Sequence, residues 1–121
     1  MNTTILVIED QEDNRRIIRD LLTASGYGVI EAVTGIEGVS AAESCHPDLI
    51  LMDINLPGID GYEATRRIKA DPDLQNIPII VVTSYALSGD DVKAFEAGCD
   101  AYVAKPFSPR ELLAKIREYI P

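Results

Sequence analysis

The sequence predicts an α/β domain built on a five-stranded parallel sheet with helices on both faces. Three observations carry that prediction. Short, continuously apolar runs recur at 5–8, 49–52, 79–82 and 101–104. Segments with helical periodicity and explicit start signals separate them, so strand and helix alternate without a break. Within the runs there is no polar-apolar alternation, so both faces of the sheet are expected to be covered.

The first strand, Ile5 to Ile8, leads into a helix whose apolar stripe is Ile17, Ile18, Leu21 and Leu22, with Gly26 as its stop signal. A second strand is expected from Gly28 to Val33. Thr34 with Glu37 then fits a helix-capping pattern that recurs as Ser88 with Asp91 and Ser108 with Glu111. Asp60 with Glu63 is a looser version. Pro109 suits the first position of the last helix, leaving Leu112, Leu113, Ile116 and Ile120 to cover the sheet. The order is strand-helix, five times over.

A chain of 121 residues with 46% hydrophobic and 26% charged residues has ordinary globular composition. One domain is expected over 1–121, without linker, repeat or attached output domain. The excess of 20 acidic over 11 basic residues, net −9, argues against binding to a phosphate backbone. No apolar run approaches the ~18 residues of a membrane helix, and no positively charged leader precedes one. A soluble, cytoplasmic protein is expected, with no nucleic-acid or membrane partner. Cys45 and Cys99 fit no metal or redox spacing and are expected as buried free thiols. His46, the single histidine, is expected on the surface at a helix end.

The chemistry-bearing residues stand where the runs stop. Glu9 and Asp10 follow the first strand, Asp53 the third, Thr83 the fourth and Lys105 the fifth. Ligands of open α/β sheets bind outside the carboxyl ends of the strands, so these side chains would converge. Singly they are ambiguous: Asp10 also suits a helix N-cap, Thr83 a plain strand residue and Lys105 a solvated surface. Three specified strand-end positions would all be acidic by chance only about once in two hundred, so the set reads as a site. Three converging carboxylates repel unless a cation neutralises them, and Mg²⁺, a hard dication taking oxygen ligands, meets that need. Asp53, followed by the turn-prone Ile54-Asn55-Leu56-Pro57-Gly58, is expected to be exposed, with an ordinary pKa of about 4, and able to attack phosphorus. Lys105 could share the charge on the transferred oxygens and Thr83 could donate a hydrogen bond. Lys105-Pro106 is an X-Pro bond at a tight strand end, where a cis isomer would turn the lysine inward.

In combination these motifs resemble the receiver domain of bacterial two-component response regulators, of the stand-alone type. The resemblance covers essentially the whole chain and rests on Glu9-Asp10, Leu51-Met52-Asp53-Ile54-Asn55-Leu56-Pro57, Thr83-Ser84 and Lys105-Pro106. It implies a flavodoxin-like sheet of strand order 2-1-3-4-5. It implies Asp53 as acceptor of phosphate from a sensor histidine kinase or histidine phosphotransferase, with no separate substrate turned over. Asp10, Asp53 and the Asn55 carbonyl would ligate Mg²⁺, or Mn²⁺ in its place, and Glu9 would contribute through water. Thr83 and Tyr102 would form a switch pair altering the face of the fourth helix, last strand and fifth helix, read by a downstream protein. Tyr102 as a plain half-buried aromatic is the alternative. Asn55 and Tyr85 would tune dephosphorylation, and a monomer or weak dimer is expected.

Three other functions compete. A haloacid-dehalogenase-type phosphatase would need an acid in the place of Asn55. Gly26 and Gly28 precede a strand and lack the third glycine of a dinucleotide site. An interaction module keeping only the fold would not need the intact acid set.

Overall fold

The computed structural model describes residues 3–83 and 90–120. The chain runs β1 (Thr4–Ile8), α1 (Glu12–Ala24), β2 (Gly28–Ala32), α2 (Gly35–Cys45), β3 (Leu49–Met52), α3 (Gly61–Ala70), β4 (Ile79–Thr83), α4 (Asp90–Ala97), β5 (Ala101–Ala104) and α5 (Pro109–Arg117). All strand pairs are parallel, in the order β2-β1-β3-β4-β5. The alternation and the flavodoxin-like order both match expectation.

Successive side chains of a strand point to opposite faces, which explains the unbroken apolar runs. Leu6, Ile8, Ile50, Met52, Ile79 and Val81 pack into one core with residues of α2, α3 and α4. Their neighbours Ile5, Val7, Leu49, Leu51, Ile80 and Val82 pack into the other with α1 and α5. Burying one such side chain fully is worth about 2 kcal/mol, so the two cores decide the fold over local propensity.

Three helices start as the capping signals predict. Thr34, Asp60 and Ser108 accept hydrogen bonds from the backbone N–H of Glu37, Glu63 and Glu111 at 3.0, 2.9 and 3.1 Å. Pro109 occupies the first turn of α5. The Ser88–Asp91 signal lies outside the described residues. Asp10 is not the N-cap of α1; Gln11 is, and its side chain makes no capping bond. His46 closes α2 at φ 46, exposed as expected.

Two burial expectations fail. Ile17 is 62% exposed, because the sheet-facing stripe of α1 narrows to Ile18 and Leu22 with Leu21 beside them. Cys45 is exposed where α2 ends, whereas Cys99 is buried in the α4 side core.

Two glycines set how closely helices approach the sheet. A Cβ on Gly38 would come within 2.8 Å of Ile8 Cγ1, so α2 can lie against the end of β1. On Gly61 it would meet the Asp53 carbonyl oxygen and come within 2.7 Å of Ile54 Cα. The start of α3 therefore packs directly on the Asp53–Ile54 peptide, held by Gly61 N–H donating to Ile54 O at 2.8 Å.

Candidate functional site

Register brings the strand ends together. Ile8 pairs with Met52, so Glu9 and Asp53 leave neighbouring strands side by side. Backbone bonds continue one step past each strand, Glu9 N–H to Ala32 O and Asp53 N–H to Ile8 O, both 3.0 Å. Thr83 is the last residue of β4, and Lys105 N–H reaches its carbonyl at 2.7 Å. Glu9, Asp10 and Asp53 each place a carboxylate oxygen within 4.8 Å of the others.

Acids at the opposite edge show the contrast. Asp48 Oδ2 accepts from Thr4 N–H at 2.8 Å, and Asp100 Oδ2 from Ile79 N–H at 2.8 Å and Lys69 Nζ at 3.0 Å. Backbone donors and a lysine satisfy those carboxylates. At the carboxyl edge Glu9 accepts from Lys105 and the Gln11 N–H, and Asp53 from the Ile54 N–H, but these two carboxylates also cluster with that of Asp10.

Asp53 differs from the exposed, ordinary acid expected of it. It is only 9% exposed, and burial, then its hydrogen bond and charge repulsion with Glu9, push its pKa up to about 7. Lys105 and the Ile54 N–H, which donates to Oδ1 at 2.8 Å, pull the other way without prevailing. Glu9 is 2% exposed. Burial works against its charge, but hydrogen bonds with Lys105, Asp53 and the Gln11 N–H outweigh burial and lower its pKa. Within this coupled pair Asp53 has the higher proton affinity and Glu9 the lower.

The Lys105–Pro106 bond is cis, and the Lys105 ammonium is directed inward, donating to Glu9 Oε1 at 2.7 Å. The donor set fits a hard dication: three oxygen ligands converge, and a cation among them would favour the ionised form of each.

The remaining predicted residues divide. Thr83 is fully buried, and strand alternation puts it on the same face as Val81 and hence as Tyr102, which pairs in register with Val81. Tyr102 is half-buried against the core under α4. Asn55 is exposed in the loop after β3, whereas Tyr85 lies outside the described residues. The motifs overlook Arg15 and Glu31. Arg15 Nη1 donates to the Glu9 carbonyl and Nε to Glu31 Oε1, both 3.0 Å. A signal exists in the chain: Glu31 is the only charge in an otherwise apolar strand segment, and Arg15 and Arg19 stand one helical turn apart to face it.

A model of the response regulator receiver domain matches residues 5–117. The chain belongs to that family. It is a receiver domain of two-component signalling and is 42% identical to the polar-differentiation response regulator DivK of Brucella ovis, over 99% of this chain and 98% of that protein. Among solved structures, the receiver domain of a sensor histidine kinase from Pseudomonas aeruginosa is 40% identical, with a TM-score of 0.93 over 99% and 98% of the two chains. It carries a magnesium ion coordinated in its active-site cleft. A response regulator from Chloroflexus aurantiacus superposes with a TM-score of 0.94 at 31% identity, over 98% of both chains. Among the described residues no helix is long and apolar enough to cross a membrane.

Proposed function

We propose that this receiver accepts a phosphoryl group on Asp53, from a histidine kinase or phosphotransferase in the cytoplasm, and thereby switches a protein-binding face. The observation that carries the reading is the acidic cluster of Glu9, Asp10 and Asp53 at the carboxyl edge of the sheet, with Lys105 on Glu9. Asp10, Asp53 and the Asn55 carbonyl would hold Mg²⁺, or Mn²⁺, with Glu9 acting through water; the ion supplies positive charge to the transferred oxygens. The chain's own task is to present Asp53 ionised and in line. Its raised pKa sets a condition: any proton on Asp53 must leave before the carboxylate can attack. Lys105, released from Glu9 as charge in the cluster rearranges, then pairs with a phosphoryl oxygen.

Approach of the donor is favoured beside α1. Exposed Ile17, with Asn14, Ile18, Pro106 and Phe107, lines a mainly apolar groove of about 480 Å³ that leads to Lys105. On the other side, Thr83 and Tyr102 share one face of the sheet, so a hydroxyl drawn toward the phosphoryl oxygens would leave space for Tyr102 to turn inward. A partner would read the face of α4, β5 and α5, and α4 carries exposed Val92 and Phe95. Asn55 and Tyr85 are assigned to tuning dephosphorylation. The protein turns over no separate substrate.

Intact mass after incubation with Mg²⁺ and acetyl phosphate tests the reading. One added phosphoryl group, absent without Mg²⁺ and absent in Asp53→Asn, is the expected result; no mass change with any donor overturns it.

A further inference from the structure

The turn that carries the acids is held differently from the entries of α2, α3 and α5. The N-caps of α2, α3 and α5 each bind a backbone N–H through a side chain, whereas the Gln11 cap of α1 does not. Asp10 lies in this turn between the end of β1 and that uncapped start. What ties it down comes from outside the usual cap. Gln11 N–H donates to Glu9 Oε2 at 3.2 Å, and Arg15, one turn into α1, donates from Nη1 to the Glu9 carbonyl at 3.0 Å.

Arg15 is itself anchored. Its Nε meets Glu31 Oε1 at 3.0 Å on the edge strand β2, and Arg19 Nη1 holds the same carboxylate at 3.3 and 3.4 Å. The side chains of Arg15 and Glu31 are 17% and 30% exposed, so the bridge is half-sheltered from water. As a stabilising ion pair at such exposure it is worth little. Its geometry is worth more. A peptide unit is planar, so fixing the direction of the Glu9 carbonyl also fixes the N–H of Asp10 and limits where the Asp10 carboxylate can point.

We propose that Arg15 is a positioning residue for the acidic cluster: by clamping the Glu9 carbonyl to Glu31 of β2, it preorganises the Glu9-Asp10 turn for a divalent cation. The inference rests on the reading of that cluster as a Mg²⁺ site. Side chains that orient metal ligands from behind typically change metal affinity about tenfold or more when removed. A turn held correctly only part of the time weakens apparent affinity by the fraction lost, but a saturating ion restores the order.

The test compares wild type with Arg15→Gln, Glu31→Gln and Arg19→Gln, using Mg²⁺ alone in calorimetry, acetyl phosphate for the rate, and hydrogen exchange of the metal-free proteins. In Arg15→Gln the Mg²⁺ dissociation constant is expected to rise about tenfold. Half-saturation of the phosphorylation rate should move with it, while the rate at saturating Mg²⁺ stays within about twofold. Exchange at Gln11 should quicken while Ile5 to Ile8 keep their protection. Glu31→Gln, which removes only the anchor, is expected to shift Mg²⁺ affinity the same way by a few-fold, and it decides the matter should Arg15→Gln fail to fold. Arg19→Gln, which leaves both the Glu9 carbonyl bond and the Arg15–Glu31 pair in place, is expected to shift Mg²⁺ affinity less than Glu31→Gln does. Unchanged affinity and exchange in folded Arg15→Gln, or a lower saturating rate with unchanged affinity, overturns the proposal. If wild type takes up no Mg²⁺, the metal-site reading fails, and the exchange of Gln11 alone decides whether Arg15 positions the turn.

Discussion

The Lys105 ammonium and Glu9 Oε1 lie 2.7 Å apart across 96 residues of sequence, with Glu9 only 2% and the Lys105 side chain 15% exposed. This pair joins the first and last strand ends over the candidate acceptor. Replacing Lys105 by Met would leave a buried charge without its partner. Loss of about 2 kcal/mol is expected in urea denaturation at pH 7 without Mg²⁺, below the usual cost of breaking a buried pair because the lysine retains some contact with water. Adding Glu9→Gln should recover most of it. Phosphorylation by acetyl phosphate should fall about a hundredfold in Lys105→Met, as for loss of one donor to a developing oxyanion. Equal stability of the single and double variants would contradict the pairing.

The raised pKa of Asp53 predicts how stability depends on pH in the metal-free protein. Its folded pKa is raised to about 7 from an ordinary 3.8, so the folded state binds more protons than the unfolded state between those values. The stabilisation is complete below about pH 4 and is lost as pH rises through 7. Glu9, lowered, acts oppositely, losing its contribution as pH falls below the usual carboxylate range. Thermal midpoints in EDTA should therefore decline from pH 5 to 8. Asp53→Asn should flatten the decline and stabilise the protein at pH 8 by about 2–4 kcal/mol, each tenfold change in proton affinity being worth about 1.4 kcal/mol. A midpoint that rises over that range would count against the raised pKa.

Gly61 is a test of how closely α3 supports the acceptor. Ala is the better helix former by up to ~1 kcal/mol, yet its methyl group would push against the Asp53–Ile54 backbone, which cannot yield as a side-chain tip can. Gly61→Ala is expected to destabilise by about 2 kcal/mol and to slow phosphorylation, because the displaced atoms belong to the acceptor residue itself. Gly26→Ala makes the control. There φ is 92 with open space around the added carbon, so it should cost about 1 kcal/mol and leave phosphorylation alone.

Ile17 separates the two kinds of donor. Ile17→Glu should reduce transfer from a cognate phosphotransferase about tenfold, the effect of one central contact. With acetyl phosphate, which needs no docking surface, the rates of variant and wild type should agree within about twofold. An equal fall with both donors would place the defect at the Asp53 site and not at the groove.

Element order, the parallel sheet, three helix caps and the convergence of Glu9, Asp10, Asp53, Thr83 and Lys105 on one edge are all legible in the chain. Strand burial on both faces and cap chemistry act over a few residues, so local pattern states them directly. The electrostatics are a product of the assembled fold. How strongly Asp53 binds a proton, whether Lys105 faces Glu9, and how Arg15 joins Glu31 to the Glu9 carbonyl all depend on distances between elements remote in the chain. Ile17 and Cys45 illustrate the same limit, since a helical stripe names a face but only packing sets how much of it is covered. Charge interactions vary with separation and with exclusion of water, and both are set when β1, β3 and β5 come together.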